Sequence, residues 1–250
     1  MENMPVEATA FLILFARIGA VLMLLPVFSE DAVPAQIRLL IALGMSVGLW
    51  GLLSPQVLPH AADQGALPGI LIAELLIGLG LGMIVKIMFQ AIAIAGSIVS
   101  LQVGLTSAVV SDPSQGGMAP LLSRFVSVAA AVVCMALAVH HMWIAALVKS
   151  YGFFPVGVLP SAGDFAQLAL RVTGRSMELG VSLAAPLIVY GIVFNVALGM
   201  SARLAPAIQV FFIVQPLNLM LGLALFASVL GVMLTTFATT IGGWMQAEWA

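Results

Sequence analysis

The chain has 250 residues, 62% of them hydrophobic and 7% charged, with a formal net charge of −2 and a mean hydropathy of +1.20. A soluble domain of this size carries roughly a quarter charged residues, so a water-covered globule is excluded and lipid or partner subunits must solvate most of the surface. The charge balance gives no basis for nucleic-acid binding, and a lone cysteine, Cys134, leaves no intramolecular disulfide and no cysteine metal cluster.

The amino end, MENMPVEATAFLILFARIGA, carries Glu2 and Glu7 where a secretory signal would carry Lys or Arg. The first apolar segment is therefore expected to stay in the mature protein. Six apolar runs of helical length follow in order, at about 8–28, 37–58, 66–110, 125–148, 178–202 and 207–245. Each reaches the ~20 residues that a spanning helix needs. Backbone groups in hydrocarbon must be satisfied internally, and runs such as Leu39 to Leu53 lack the alternation of a barrel strand. The predicted fold class is all-α: a membrane-associated bundle of long, kinked helical hairpins with no β-sheet. One unit spans 1–250, with hairpins at about 8–58, at 66–148 with a loop over 102–124, and at 178–245.

Between the runs, Pro26, Ser29, Glu30, Asp31 and Pro34 make a first break, and Pro34 suits a first helical turn. LLSPQVLPHAADQGALPG reads as a second break and KSYGFFPVGVLPSAGDF as a third, with Lys149 to Glu178 the wettest part of the chain. The 66–110 run, interrupted only by Glu74 and Lys86, reads as two spans or one tall bent helix, and Pro216 as a kink or restart in the last run. The distribution of Lys and Arg fixes no stable orientation, a hint that some apolar helices face protein partners.

Arg17, Glu74 and Lys86 are charges inside apolar runs, which usually face a bundle interior or cavity. Glu74 and Lys86 stand more than three turns apart and cannot pair within a straight helix. Inter-subunit pairing or a polar boundary is the expected setting, ahead of a proton- or ion-coupled site. The adjacent His140 and His141 point to different helix faces, which disfavours a shared metal. Lys86 and Lys149 follow no phosphate-binding glycine pattern, so no nucleotide cradle exists. Gly78 with Gly82, and Gly44 with Gly48, are small-residue pairs that let helices approach. No catalytic cluster is visible; no enzyme, cofactor or metal is expected.

The segment IAGSIVSLQVGLTSAVVSDPS resembles the A-G-x-x-[IV]-x-x-Q-x-G…D-P stretch of the FliR family of flagellar biosynthetic proteins, at Ala95, Gly96, Ile98, Gln102, Gly104, Asp112 and Pro113. LGMSARLAPAIQVFFIVQPLNLMLG resembles the family's second signature at Arg203, Pro206, Val210, Phe211, Val214, Pro216 and Leu217. The amino end is similar at Arg17, Pro26, Pro34 and Arg38. The chain departs from the family at Ala207 and Gln209, where Gln and Asn are frequent, and at Ser107 and Val110, where bulky aromatics are.

The resemblance implies a type III export-gate subunit in the bacterial inner membrane, at the flagellar basal body. FliP-type, FliQ-type and FlhB-type chains would be its partners and unfolded exported protein its cargo. The expected channel plug is the loop holding Gln102, Gly104, Leu105, Ser107, Val109, Val110, Asp112, Pro113, Gly116 and Gly117. Small residues would make it supple, and Leu105, Val109 and Val110 would exclude water. Arg17, Glu74, Lys86, Arg203, Pro206, Gln209, Phe211 and Pro216 are the expected subunit contacts. The alternative is a small-molecule secondary transporter, which expects midplane polar residues on broken helices in corresponding halves; no duplicated half is visible.

Overall fold

In a computed structural model, residues 6–28, 33–63, 65–105, 109–112, 117–204 and 210–249 are described, with 109–112, 117–119, 210–213 and 248–249 described by backbone alone. Seven helices stand in order among them: α1 (Val6–Leu24), α2 (Ala35–Ala61), α3 (Leu67–Val103), α4 (Leu121–Ala136), α5 (Val139–Phe153), α6 (Ala162–Leu204) and α7 (Val210–Trp249). The all-α class holds. The expectation of no β-sheet meets one exception, an antiparallel hairpin of β1 (Val109–Asp112) and β2 (Gly117–Pro120), in which Val109 faces Pro120 and Asp112 faces Gly117.

Five helices are long and apolar enough to cross a membrane, or six if α4 and α5 count as one broken span. The 66–110 run is one helix, α3, of 37 residues. At 1.5 Å per residue it measures about 55 Å, well beyond a ~30 Å hydrocarbon layer. Half of the most apolar stretch of α3 is buried, against 17% for α2, 22% for α6 and 28% for α7. Those three helices therefore show apolar side chains outward, such as Leu40, Val47, Val193 and Met220.

Several expected boundaries move. Pro34 caps α2 from just outside it, and α2 runs through Pro55 and Pro59, where a break was expected. The 125–148 run is split at Leu137 and Ala138, with Ala138 at φ +58°. The Leu137 and Ala138 amides close on Val133 O and Met135 O, which ends α4 without a glycine. α6 begins at Ala162, within the segment expected to be the wettest, because Ser161 caps it: the Asp164 amide donates to Ser161 Oγ, and the Ser161 hydroxyl donates to the Asp164 carboxylate. Pro216 sits inside α7 near its start.

The chain divides into two compact units, 1–88 with 140–173 and 244–250, and 89–139 with 174–243. In the first unit α1 packs on α2, with Phe11 and Trp50 rings 5.9 Å apart, and on α3 through the expected glycine pair. A Cβ at Gly78 would lie 2.6 Å from Arg17 O, and one at Gly82 would lie 2.8 Å from Leu24 Cβ. Gly44 and Gly48, by contrast, meet nothing within 4 Å inside the chain. In the second unit the stripe Leu122, Val126, Ala130 and Cys134 of α4 is buried, and Ser123 donates to Ala93 O of α3 across a gap opened by Gly96. Phe89 and Phe237 meet edge to face at 5.1 Å.

Candidate functional site

The loop between α3 and α4 starts from a helix end built by glycine. Gly104 takes φ +86°, a conformation that costs an L-side chain but not glycine. The Leu105 amide then reaches back to Ser100 O (2.9 Å) and the Gly104 amide to Leu101 O (3.3 Å). Those are the two hydrogen bonds of a Schellman ending, which satisfy carbonyls the helix would leave open. Gln102 thus belongs to the last turn of α3 and Gly104 to its cap, not to the body of the loop. At the other end, residues 121–124 are the first turn of α4, so the loop is shorter than the 102–124 expected.

A polar cluster fixes that helix end within its unit. Asn218 of α7, almost fully buried, donates from Nδ2 to Gln102 O at 3.3 Å. Tyr190 of α6 donates its hydroxyl hydrogen to Asn218 Oδ1 at 2.9 Å. Close approach is possible because Gly191 leaves room for the Gln102 side chain and Gly222 for Val103. A Cβ at Gly104 would stand 3.5 Å from Asn218 Nδ2. Sequence reasoning misses Tyr190 and Asn218. Their signal is a hydroxyl and an amide inside apolar runs, where unsatisfied polar groups are costly.

Of the expected plug residues, Gln102, Gly104 and Leu105 stand at this root. Val109, Val110, Asp112 and Gly117 lie in the hairpin by backbone, Asp112 opposite Gly117. Ser107, Pro113 and Gly116 lie outside the described residues. A paired ladder replaces the freely supple backbone expected over 109–112 and 117.

The expected contact residues separate into three groups. Arg17 and Glu74, expected to face a neighbouring subunit, instead face each other within the first unit, both without solvent exposure. Arg17 Nε donates to Glu74 Oε2 at 2.6 Å and Nη2 to Oε1 at 2.8 Å, a two-pronged pair. Around it, Arg17 Nη2 also donates to Phe154 O (3.0 Å), the guanidinium lies 3.9 Å from the Tyr151 ring centre, and the Gly157 amide donates to Glu74 Oε1 (3.1 Å). The cause is energetic: two charges in an apolar bundle cost less when paired and hydrogen-bonded than when apart. Lys86 is half-buried with no ion pair among the described residues, and Arg203 is exposed in the last turn of α6, where a cation suits the helix dipole. Pro216 lies within α7, Phe211 is described by backbone alone, and Pro206 and Gln209 lie outside the described residues.

The family described as bacterial export proteins, family 1, matches residues 8–243. The chain is similar to the flagellar biosynthetic protein FliR of Caulobacter vibrioides, 40% identical over 225 residues, covering 88% of this chain and 90% of that one. It is 31% identical to the FliR of Escherichia coli over 86% of this chain and 81% of that one. With the FliR of Bacillus subtilis it shares 29% identity, over 84% and 82% respectively.

Proposed function

The chain belongs to the bacterial export proteins, family 1, and serves flagellar protein export as a membrane component; from that premise we propose that it is a structural, channel-forming subunit of the flagellar type III export gate. It resides in the bacterial inner membrane at the flagellar basal body and carries no catalytic step. FliP-type, FliQ-type and FlhB-type chains cover its outward apolar faces on α2, α6 and α7, and unfolded protein is the cargo.

In this reading the segment 102–117 closes the pore at rest. The observation that carries it is the anchored root: a long helix ends in a Schellman turn pinned by Asn218, so that a short hairpin emerges from a fixed point. A hydrophobic constriction gates by excluding water, and a fixed root keeps such a segment in one place.

The small-molecule transporter expects midplane polar residues on broken helices in corresponding halves. Of the charges that reading would use, Glu74 is paired with Arg17 inside one unit, which weighs against it.

Deleting residues 106–111 in the assembled gate tests the plug. The expected result is a raised ion leak with the partner chains still co-purifying. An unchanged leak with intact assembly rejects it.

A further inference from the structure

We propose that the cleft between the end of α5 and the start of α6 binds a zwitterionic phospholipid, with Asp164 facing its ammonium, Arg171 its phosphate and an aromatic wall its glycerol and upper acyl carbons. The inference goes beyond the export reading and depends on membrane residence alone.

The cleft encloses about 330 Å³, at the lower end of the ~300–1,000 Å³ typical of small-molecule sites. Phe153, Phe154, Phe165 and Val158 form its apolar wall. The Phe154 and Phe165 rings stand 5.7 Å apart, and Phe153 is 60% exposed. Exposed apolar patches rimmed by polar residues mark membrane or protein interaction sites.

The rim carries one charge of each sign. Asp164 and Arg171 are seven residues apart on α6, so they share a face about two turns, or ~10 Å, apart. Both line the same cleft, yet no salt bridge joins the two. Asp164 accepts the Ser161 hydroxyl on Oδ2, and Oδ1 has no protein donor among the described residues. An acid and a base, separate and on either side of an apolar wall, complement a headgroup with its own separated cation and anion. A purely anionic lipid would satisfy Arg171 and be repelled by Asp164.

The wall is held from behind. Phe154 O accepts from Arg17, the Gly157 amide donates to Glu74, and Phe165 presses onto Gly80, where a Cβ would clash with its ring. The cleft is therefore preformed, and little ordering opposes binding.

The test is native mass spectrometry of the full chain in its export complex, exchanged into phosphatidylethanolamine or phosphatidylglycerol of matched acyl chains. The wild type should retain the ethanolamine lipid about tenfold better, the equivalent of one charge-assisted hydrogen bond. Arg171→Gln should lower retention of both lipids, and Asp164→Asn should remove the preference between them. Ser161→Ala, which breaks the same cap but keeps the carboxylate charge, should leave the preference intact, as should Leu170→Ala on the exposed helix surface outside the cleft. Equal retention by the wild type, indifference to both charge variants, or a polypeptide crosslinked at Phe153 in place of lipid would each overturn the proposal.

Discussion

Tyr190 and Asn218 join α6 to α7 through a hydroxyl–amide hydrogen bond of 2.9 Å, and the same Asn218 holds the last turn of α3. The bond sits at the root of the proposed plug rather than in the plug itself. Tyr190→Phe removes one donor and leaves Asn218 its contact with Gln102. Asn218→Ala removes both side-chain links, while the Tyr190 hydroxyl keeps the Asn218 main-chain carbonyl at 3.2 Å. Each lost side-chain hydrogen bond costs ~0.5–1.5 kcal/mol, so Asn218→Ala, which loses two, should lower the unfolding midpoint more than Tyr190→Phe. In the assembled gate it should also raise the resting ion leak, measured by the conductance assay used for the deletion. A leak at wild-type level would confine Asn218 to stability.

The Arg17–Glu74 pair predicts an asymmetry between single and double variants. Glu74→Ala leaves a cation buried without its partner, which costs ~3–5 kcal/mol. Replacing both with apolar residues of similar volume, Arg17→Met with Glu74→Leu, should recover part of that loss. Thermal unfolding in detergent reads the order directly. If the double variant is as unstable as the single, the pair matters through Phe154 and Gly157 rather than through charge.

Glycines that look alike in the sequence should behave oppositely. At Gly96 a Cβ would lie 2.5 Å from Ser123 Cα, so Gly96→Ala must push α4 away from α3. Overpacking of this kind costs ~1–3 kcal/mol. At Gly44 there is no atom within 4 Å, and Gly44→Ala in a helix interior should stabilise the isolated chain by ~0.5–1 kcal/mol. Denaturant unfolding of the two variants checks the sign at each site.

Arg203 stands exposed at the end of α6, and its assigned role is contact with a neighbouring subunit. Arg203→Ala should leave the stability of the chain within ~0.5 kcal/mol, as exposed substitutions do. Co-purification with FliP-type and FliQ-type chains should fall. Undiminished assembly would retire the assignment.

The helices are readable in the sequence because each apolar run is long enough to need internal hydrogen bonding, and that requirement leaves little choice. Their ends are less so. Pro55 and Pro59 look like a stop, but α2 runs through both. The break at Ala138 carries no glycine or proline and arises from a left-handed turn that alanine rarely adopts. The hairpin has strands of four residues, too short for alternation to show. Arg17 and Glu74 are visible as misplaced charges, but their partnership spans 57 positions and only the packing of α1 on α3 creates it. Tyr190 and Asn218 stay hidden because a single amide in an apolar run looks the same whether it binds a helix end, a neighbour or nothing.

The Glu74 carboxylate is shared: one oxygen takes both an Arg17 hydrogen and the Gly157 amide, while Arg17 reaches the Phe154 carbonyl 137 positions downstream. Genetically, the amino-terminal helix and this distant surface turn form one locus. Second-site revertants of an Arg17 lesion should accordingly map just before that turn, to Ser150 and Tyr151, whose side chains face the guanidinium a long way along the gene from the damage they repair.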